Sequence, residues 1–121
     1  EMFYGEKNNG AYLNNKRIRV SKKINIEECL FATSGKNKKQ FDFSYRKSGS
    51  AALDMAYVAC GRYDGYFQKN LHLWDIAAGI IIVKEAGGMI NEINLNNHKD
   101  IEIIASTPDI NSKLIKKITN F

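Results

Sequence analysis

No hydrophobic run in this chain approaches the ~20 residues that a membrane span requires, so none of it reads as a transmembrane helix. Cysteine is scarce. Cys29 and Cys60 lie far apart, without a Cys-x-x-Cys pair or a histidine at ligand spacing. They read as small buried hydrophobes in a reducing cytoplasm, not as a disulfide or a zinc site. Proline is almost missing, with Pro108 alone among 121 residues, and there is neither an internal repeat nor a low-complexity tract. The first residues, Glu1 to Glu6, lack the basic-then-apolar layout of a signal peptide. A nucleophile elbow, a P-loop and a Rossmann glycine pattern are all missing as well. His72 and His98 stand without catalytic or ligating neighbours and are expected in loops or on the surface.

What is present suits a single small globular domain, 44% hydrophobic and carrying a net charge of +5. The charge is uneven. Residues 1–47 hold eleven Lys and Arg against five Asp and Glu, whereas residues 48–121 hold seven against eight. A basic front half can attract phosphate-bearing ligands or nucleic acid. Without aromatics interleaved at regular intervals, it reads better as a solvated surface, and nucleic acid is not the expected partner.

The order of elements predicts an α/β fold. Gly10–Leu13 and Lys16–Val20 flank Asn14-Asn15, a two-residue turn that tolerates positive φ, and so predict a β-hairpin. Leu30–Ser34 reads as a buried strand, and residues 35–48 as a polar, basic loop. Residues 50–60 form a nearly all-apolar helix with Asp54 as its one charge, closed by Gly61 in a left-handed cap. Tyr63–Gln68 is the next strand. A second apolar helix opens at Asp75 and ends at Gly87-Gly88. Met89–Ile93 and Ile101–Ala105 are strands around the turn 94–97. A last helix starts at Thr107-Pro108, with Ile110, Leu114, Ile115 and Ile118 as its inner stripe. The whole predicts a layered mixed sheet with packed helices.

Two places could carry chemistry. Gly49-Ser50-Ala51 puts small residues at a helix start, where free N–H groups suit an anion or a polyol, or where Ser50 serves as a plain N-cap. Arg46 and Lys47 lie just upstream. Asp75, after Trp74, either caps its helix or holds a hard cation. Trp74 reads as a packing anchor. Asp54, Asp64 and Glu85 lie on other elements or at the far end of the same helix, so on spacing alone the chain carries at most part of a metal site.

The run Trp74-Asp75-Ile76-Ala77-Ala78-Gly79, leading into Glu85-Ala86-Gly87-Gly88, resembles the C-terminal signature of the inositol monophosphatase family, in its bacterial form. Gly49-Ser50-Ala51-Ala52-Leu53-Asp54, Ala56 to Arg62, and Asp64-Gly65-Tyr66-Phe67 are similar to the same family, and residues 1–21 to the segment before it. The resemblance implies the C-terminal half of the sugar-phosphatase fold: residues 1–23 as a hairpin belonging to the sheet of a missing N-terminal half, and 24–121 as a C-terminal α/β domain.

It further implies Mg²⁺-dependent hydrolysis of a phosphate monoester, inositol phosphate being the usual substrate. Asp75 matches a metal carboxylate, and Gly49, Ser50 and Ala51 match the helix start that contacts substrate. Gln68 stands where the family commonly has a glutamate that hydrogen-bonds a substrate hydroxyl. The family's upstream Glu and its Asp-Pro-x-Asp-Gly-Thr motif do not occur in this sequence. The chain therefore resembles a truncation product, an expressed domain or one piece of a split enzyme. It is expected to be inactive alone, and to form a homodimer or join a companion N-terminal half. The alternative is a non-catalytic remnant, or a module that binds RNA or protein.

Overall fold

The computed structural model describes residues 1–36, 39–119 and 121. The opening segment folds as three antiparallel strands, β1 (Phe3–Glu6), β2 (Gly10–Leu13) and β3 (Lys16–Arg17). The β2–β3 turn falls at Asn14-Asn15, with Asn14 at φ 50°, as the turn chemistry predicts. The predicted second arm reaches only Arg17, and β1 joins from the other side.

The second sheet has five strands in the order β5-β4-β6-β8-β7. Here β4 is Phe31–Ser34, β5 Tyr45–Ser48, β6 Gly65–Leu71, β7 Met89–Ile90 and β8 Ile101–Ser106. The chain leaves β4, pairs parallel to it as β5, then returns through helix α1 (Ala51–Ala59) to pair as β6 on the other side of β4. Helix α2 (Leu73–Glu85) follows β6 directly. Both helices thus start at the carboxyl ends of parallel strands, on the two sides of a switch point in strand order. In open α/β sheets that is where ligands bind.

Strand β5 corrects the sequence reading of 35–48 as loop. Its pattern Tyr45-Arg46-Lys47-Ser48 buries little and is basic, so nothing local marks it as a strand. It is held by its ladder to β4 and by aromatic packing: Tyr45 meets Phe41 edge-on at 5.5 Å, and Phe41 stacks on Phe43 at 5.3 Å. Met89–Ile93 also shortens, to the two residues of β7.

The layers run sheet, helices, sheet, helix. Helix α2 lies beneath β1 and β2, and α1 and α2 cover one face of the five-stranded sheet around Met55, Val58, Tyr66, Ile76, Val83 and Ile103. The opposite face packs Phe31, Phe67 and Ile104 on Leu114 of helix α3 (Asn111–Lys117), on Ile110 of the turn before it and on Ile118, its C-cap. Gly79 lets α1 and α2 touch: a Cβ there would lie 2.8 Å from Met55 Sδ and 3.0 Å from Met55 Cβ. At the other end of α2, the Glu85 carboxylate accepts the N–H groups of Asn8 (3.0 Å) and Gly10 (2.9 Å) and pins the β1–β2 turn. Those two bonds draw its pKa below the usual carboxylate value.

Not all of α2 is covered. Trp74, Ala77, Ala78 and Ile81 recur at helical spacing on its outer side and are exposed. Trp74, expected as a packing anchor, is 71% exposed and stacks on the His72 ring at 4.4 Å instead. An apolar pattern running all round a helix does not say which side is covered, so the sequence could not place this one. Among the described residues, no helix is long and apolar enough to cross a membrane.

Candidate active site

At the carboxyl ends of β4, β5 and β6 lies an open cleft of about 560 Å³. It brings together the five residues that the resemblance implies for metal and substrate, Gly49, Ser50 and Ala51 from the start of α1, Gln68 from β6 and Asp75 from α2, whereas Arg46 and Lys47 do not line it. Ser34, Lys36 and Ser48 complete its walls, with Leu71 and Trp74 beside Asp75.

The α1 side forms because β5 ends at Ser48 and the chain turns at once into helix. Ser50 is the N-cap, in extended backbone, and its Oγ accepts the Leu53 N–H at 3.2 Å. The Ser50 N–H in turn donates to Ser48 Oγ at 3.2 Å. Among the described residues, the N–H groups of Ala51 and Ala52 have no partner, as expected of a first helical turn. The space before Gly49 is open, since a Cβ there would meet nothing within 4 Å. The N-cap and ligand-contact readings of this segment are therefore compatible: Ser50 caps with its side chain, while Ala51 and Ala52, with N–H groups unpaired among the described residues, line the cleft.

Asp75 is similar. The helix begins at Leu73, two residues earlier than predicted, so Asp75 is its third residue and not its cap. One carboxylate oxygen, Oδ2, reaches back to accept the His72 N–H at 3.3 Å. Among the described residues Oδ1 has no hydrogen-bond partner, and the carboxylate is exposed to the cleft. Asp75 can thus cap its helix with one oxygen and offer the other to a cation.

Behind this wall sit two groups that sequence reasoning did not assign to the site. Asp54, on α1, is 3% exposed; burial pushes its pKa up to about 6, against a smaller opposing effect of a hydrogen bond from Ser48. Tyr66 is fully buried two residues before Gln68, hence on the same face of β6, and its hydroxyl donates to Gln68 Oε1. Burial above all, then the Asp54 and Asp75 carboxylates, raise the Tyr66 pKa and keep the phenol protonated. The signals available in sequence were the lone charge on an apolar helix and the i, i+2 spacing of Tyr66 and Gln68.

Mg²⁺ prefers an octahedron of oxygens, commonly one or two carboxylates with substrate phosphates and water. Asp75 fits as one such ligand. Among the described residues no group of three His, Cys, Asp or Glu side chains gathers to hold a metal, so these donors alone do not complete a site.

The sequence model for the inositol monophosphatase family matches residues 1–120. An inositol-1-monophosphatase from Caulobacter vibrioides is 32% identical over 98% of this chain and 54% of its own length. A putative Nus factor SuhB from Neisseria meningitidis is 35% identical over 98% of this chain and 52% of its own. Among solved structures, the extragenic suppressor protein suhB from Bartonella henselae superposes with a TM-score of 0.84 at 35% identity, covering 98% of this chain and 52% of that one. The chain spans about half the length of the relatives it matches. With the sheet–helix–sheet–helix layering, the cleft at the switch point and these matches together, the chain belongs to the inositol monophosphatase family.

Proposed function

We propose that this chain supplies the C-terminal half of the active site of a Mg²⁺-dependent phosphomonoesterase acting on inositol monophosphate or a similar polyol phosphate. The observation that carries the reading is the convergence of the Asp75 carboxylate and the free N–H groups of Ala51 and Ala52 on one cleft. Those N–H groups, at the positive end of α1, receive oxygens of the ligand. Asp75 provides one metal ligand. Mg²⁺, when bound, supplies charge neutralisation at the phosphoryl oxygens and an activated water. Trp74 and Leu71 shield the Asp75 side of the cleft. Gly49 keeps the approach to the backbone open.

The remaining metal ligands belong to a companion N-terminal half. The uncovered stripe Trp74, Ala77, Ala78 and Ile81 and the place of β1 at the edge of its sheet among the described residues support this arrangement. In it, residues 1–23 extend the sheet of that other half. A homodimer using the same face is the competing assembly, distinguished by mass in solution. A reducing cytoplasm suits the two free thiols, of which Cys29 is pushed up to about 11, chiefly by burial.

The test is phosphate release from inositol 1-phosphate with Mg²⁺. The 121 residues alone are expected to turn over little or nothing. Activity should appear on adding a segment that carries the family's upstream Glu and Asp-Pro-x-Asp-Gly-Thr. Turnover by the chain alone that Asp75→Asn abolishes would refute the need for the other half.

A second reading follows from the relative named a putative Nus factor and from the basic front half. In it the chain binds RNA and catalyses nothing. Binding that weakens steeply with salt would favour it.

A further inference from the structure

Gln68 lines the cleft with its amide oxygen already engaged. The Tyr66 hydroxyl, protonated and buried, is a donor, and it takes the amide oxygen of Gln68. The amide is thereby oriented, leaving Nε2 with its two hydrogens as the group to offer a ligand. Among the described residues Nε2 has no acceptor. A side chain so held is a hydrogen-bond donor, whereas a carboxylate at this position could only accept.

Beyond Gln68 lies a second cavity of about 370 Å³, separated from the first by a wall that the two share: Ser34, Lys36 and Gln68. Its other lining residues are Thr33, Lys69, Asn70 and Phe121. Among the described residues its lining holds two lysines and no Asp or Glu side chain. The β6 ladder breaks register between Gln68 and Leu71, and Asn70 takes φ 60°, so a bulge places Lys69 and Asn70 in the cavity wall. Lys69 Nζ lies 4.7 Å from the centre of the Phe121 ring, which fixes the ammonium at this rim. Thr33 is satisfied internally, its hydroxyl donating to the Phe67 carbonyl at 2.7 Å.

We propose that this second cavity is a subsite for an anionic oxygen group on the alcohol part of the ligand, served by Gln68 Nε2, Lys36 and Lys69. The inference rests on the first cleft holding the phosphate. It changes the substrate class from a neutral polyol monophosphate to a phosphate monoester whose carbon skeleton carries a carboxylate or a second phosphate. Gln68 and the lysines then act as specificity determinants. A hydroxyl in that place could accept from Nε2, but its own proton would find no acceptor on Gln68.

The experiment titrates the full 121-residue chain, with Mg²⁺ present, and follows backbone amide resonances. Three probes of one carbon length are compared: glycerol 3-phosphate, 3-phosphoglycerate and glycerol 1,3-bisphosphate. One or both of the latter two should bind about tenfold tighter than glycerol 3-phosphate, the scale of one added charge-assisted hydrogen bond. Whichever of the two binds more tightly identifies the group. Gln68→Glu should erase or reverse the preference, and Lys69→Ala should reduce it severalfold with the Gln68 amide intact. Equal binding of the three probes would overturn the proposal, as would a preference that survives in both variants. Inorganic phosphate is the control for the reading beneath. If it shifts the Ala51 and Ala52 amides while the series shows no preference, only the subsite falls. If phosphate leaves those amides unmoved, the phosphate site falls and takes the subsite with it.

Discussion

Replacing Asp54 by asparagine is expected to stabilise the chain at neutral pH and to leave it nearly unchanged in acid. Asp54 sits in the first half of α1, where the helix dipole favours a negative charge by roughly 0.3–1 kcal/mol, and Ser48 hydrogen-bonds it. Burial nevertheless wins, since its pKa rises from an ordinary 3.8 to about 6. The folded state therefore binds a proton more tightly than the unfolded state. Below the unfolded value both states are protonated and the charge costs nothing. As pH rises through the folded value, the native carboxylate must ionise in its buried site and stability is lost. A rise of that size converts to about 3 kcal/mol, and to about 2 kcal/mol once water on the cleft side is allowed for. Asparagine keeps the shape and an oxygen for Ser48 but never ionises. Urea unfolding of both proteins at pH 4 and pH 7.5 measures the difference directly. The variant should gain about 2 kcal/mol at the higher pH, or about 6–10 °C in Tm, and little at the lower. A variant no more stable than its parent at pH 7.5, or a gap equal at both pH values, would refute the reasoning.

Two further substitutions probe the frame around the cleft. Asp64 is 1% exposed and accepts from the Leu30 N–H (2.8 Å), the Ser21 hydroxyl and Lys23 Nζ (3.2 Å), tying residues 21–30 to the start of β6. Lys23 is 43% exposed and rehydrates on losing its partner, so Asp64→Ala should cost about 3 kcal/mol, read by denaturant midpoint. Gly79→Ala gains about 1 kcal/mol of helix propensity but forces a methyl onto Met55, whose Cβ is fixed to the α1 backbone. A net loss of about 1 kcal/mol is expected, and Met55→Ala in the same chain should relieve part of it, giving a measurable coupling in a double-mutant cycle.

Local chemistry made part of this molecule readable. Ser50 and Gly61 bracket an alanine-rich run, and α1 falls between them with Gly61 at φ 81°. Helix α2 was harder to start, because His72 is not among the usual N-caps and its N–H is instead satisfied from Asp75 three residues on. Strand β5 was hidden, since its stability lies in β4 and in Phe41 and Phe43, which are remote from its own pattern. The family resemblance brought Gln68 and Asp75 forward, and the fold sets both on one cleft. Neither spacing nor resemblance disclosed that the Tyr66 hydroxyl takes the Gln68 oxygen, which depends on a buried phenol and on two carboxylates from separate helices.

Trp74 is the chain's only tryptophan, and it stands in water at the rim of the cleft, at one end of the bare stripe of α2. Its indole is thus a built-in optical reporter, and no label is needed. Emission at the long wavelengths of a hydrated indole marks the chain by itself. A shift to shorter wavelength would record the moment another surface closes over that helix, whereas ligand entering the cleft would act through quenching at the rim. The two events can be timed separately in one cuvette.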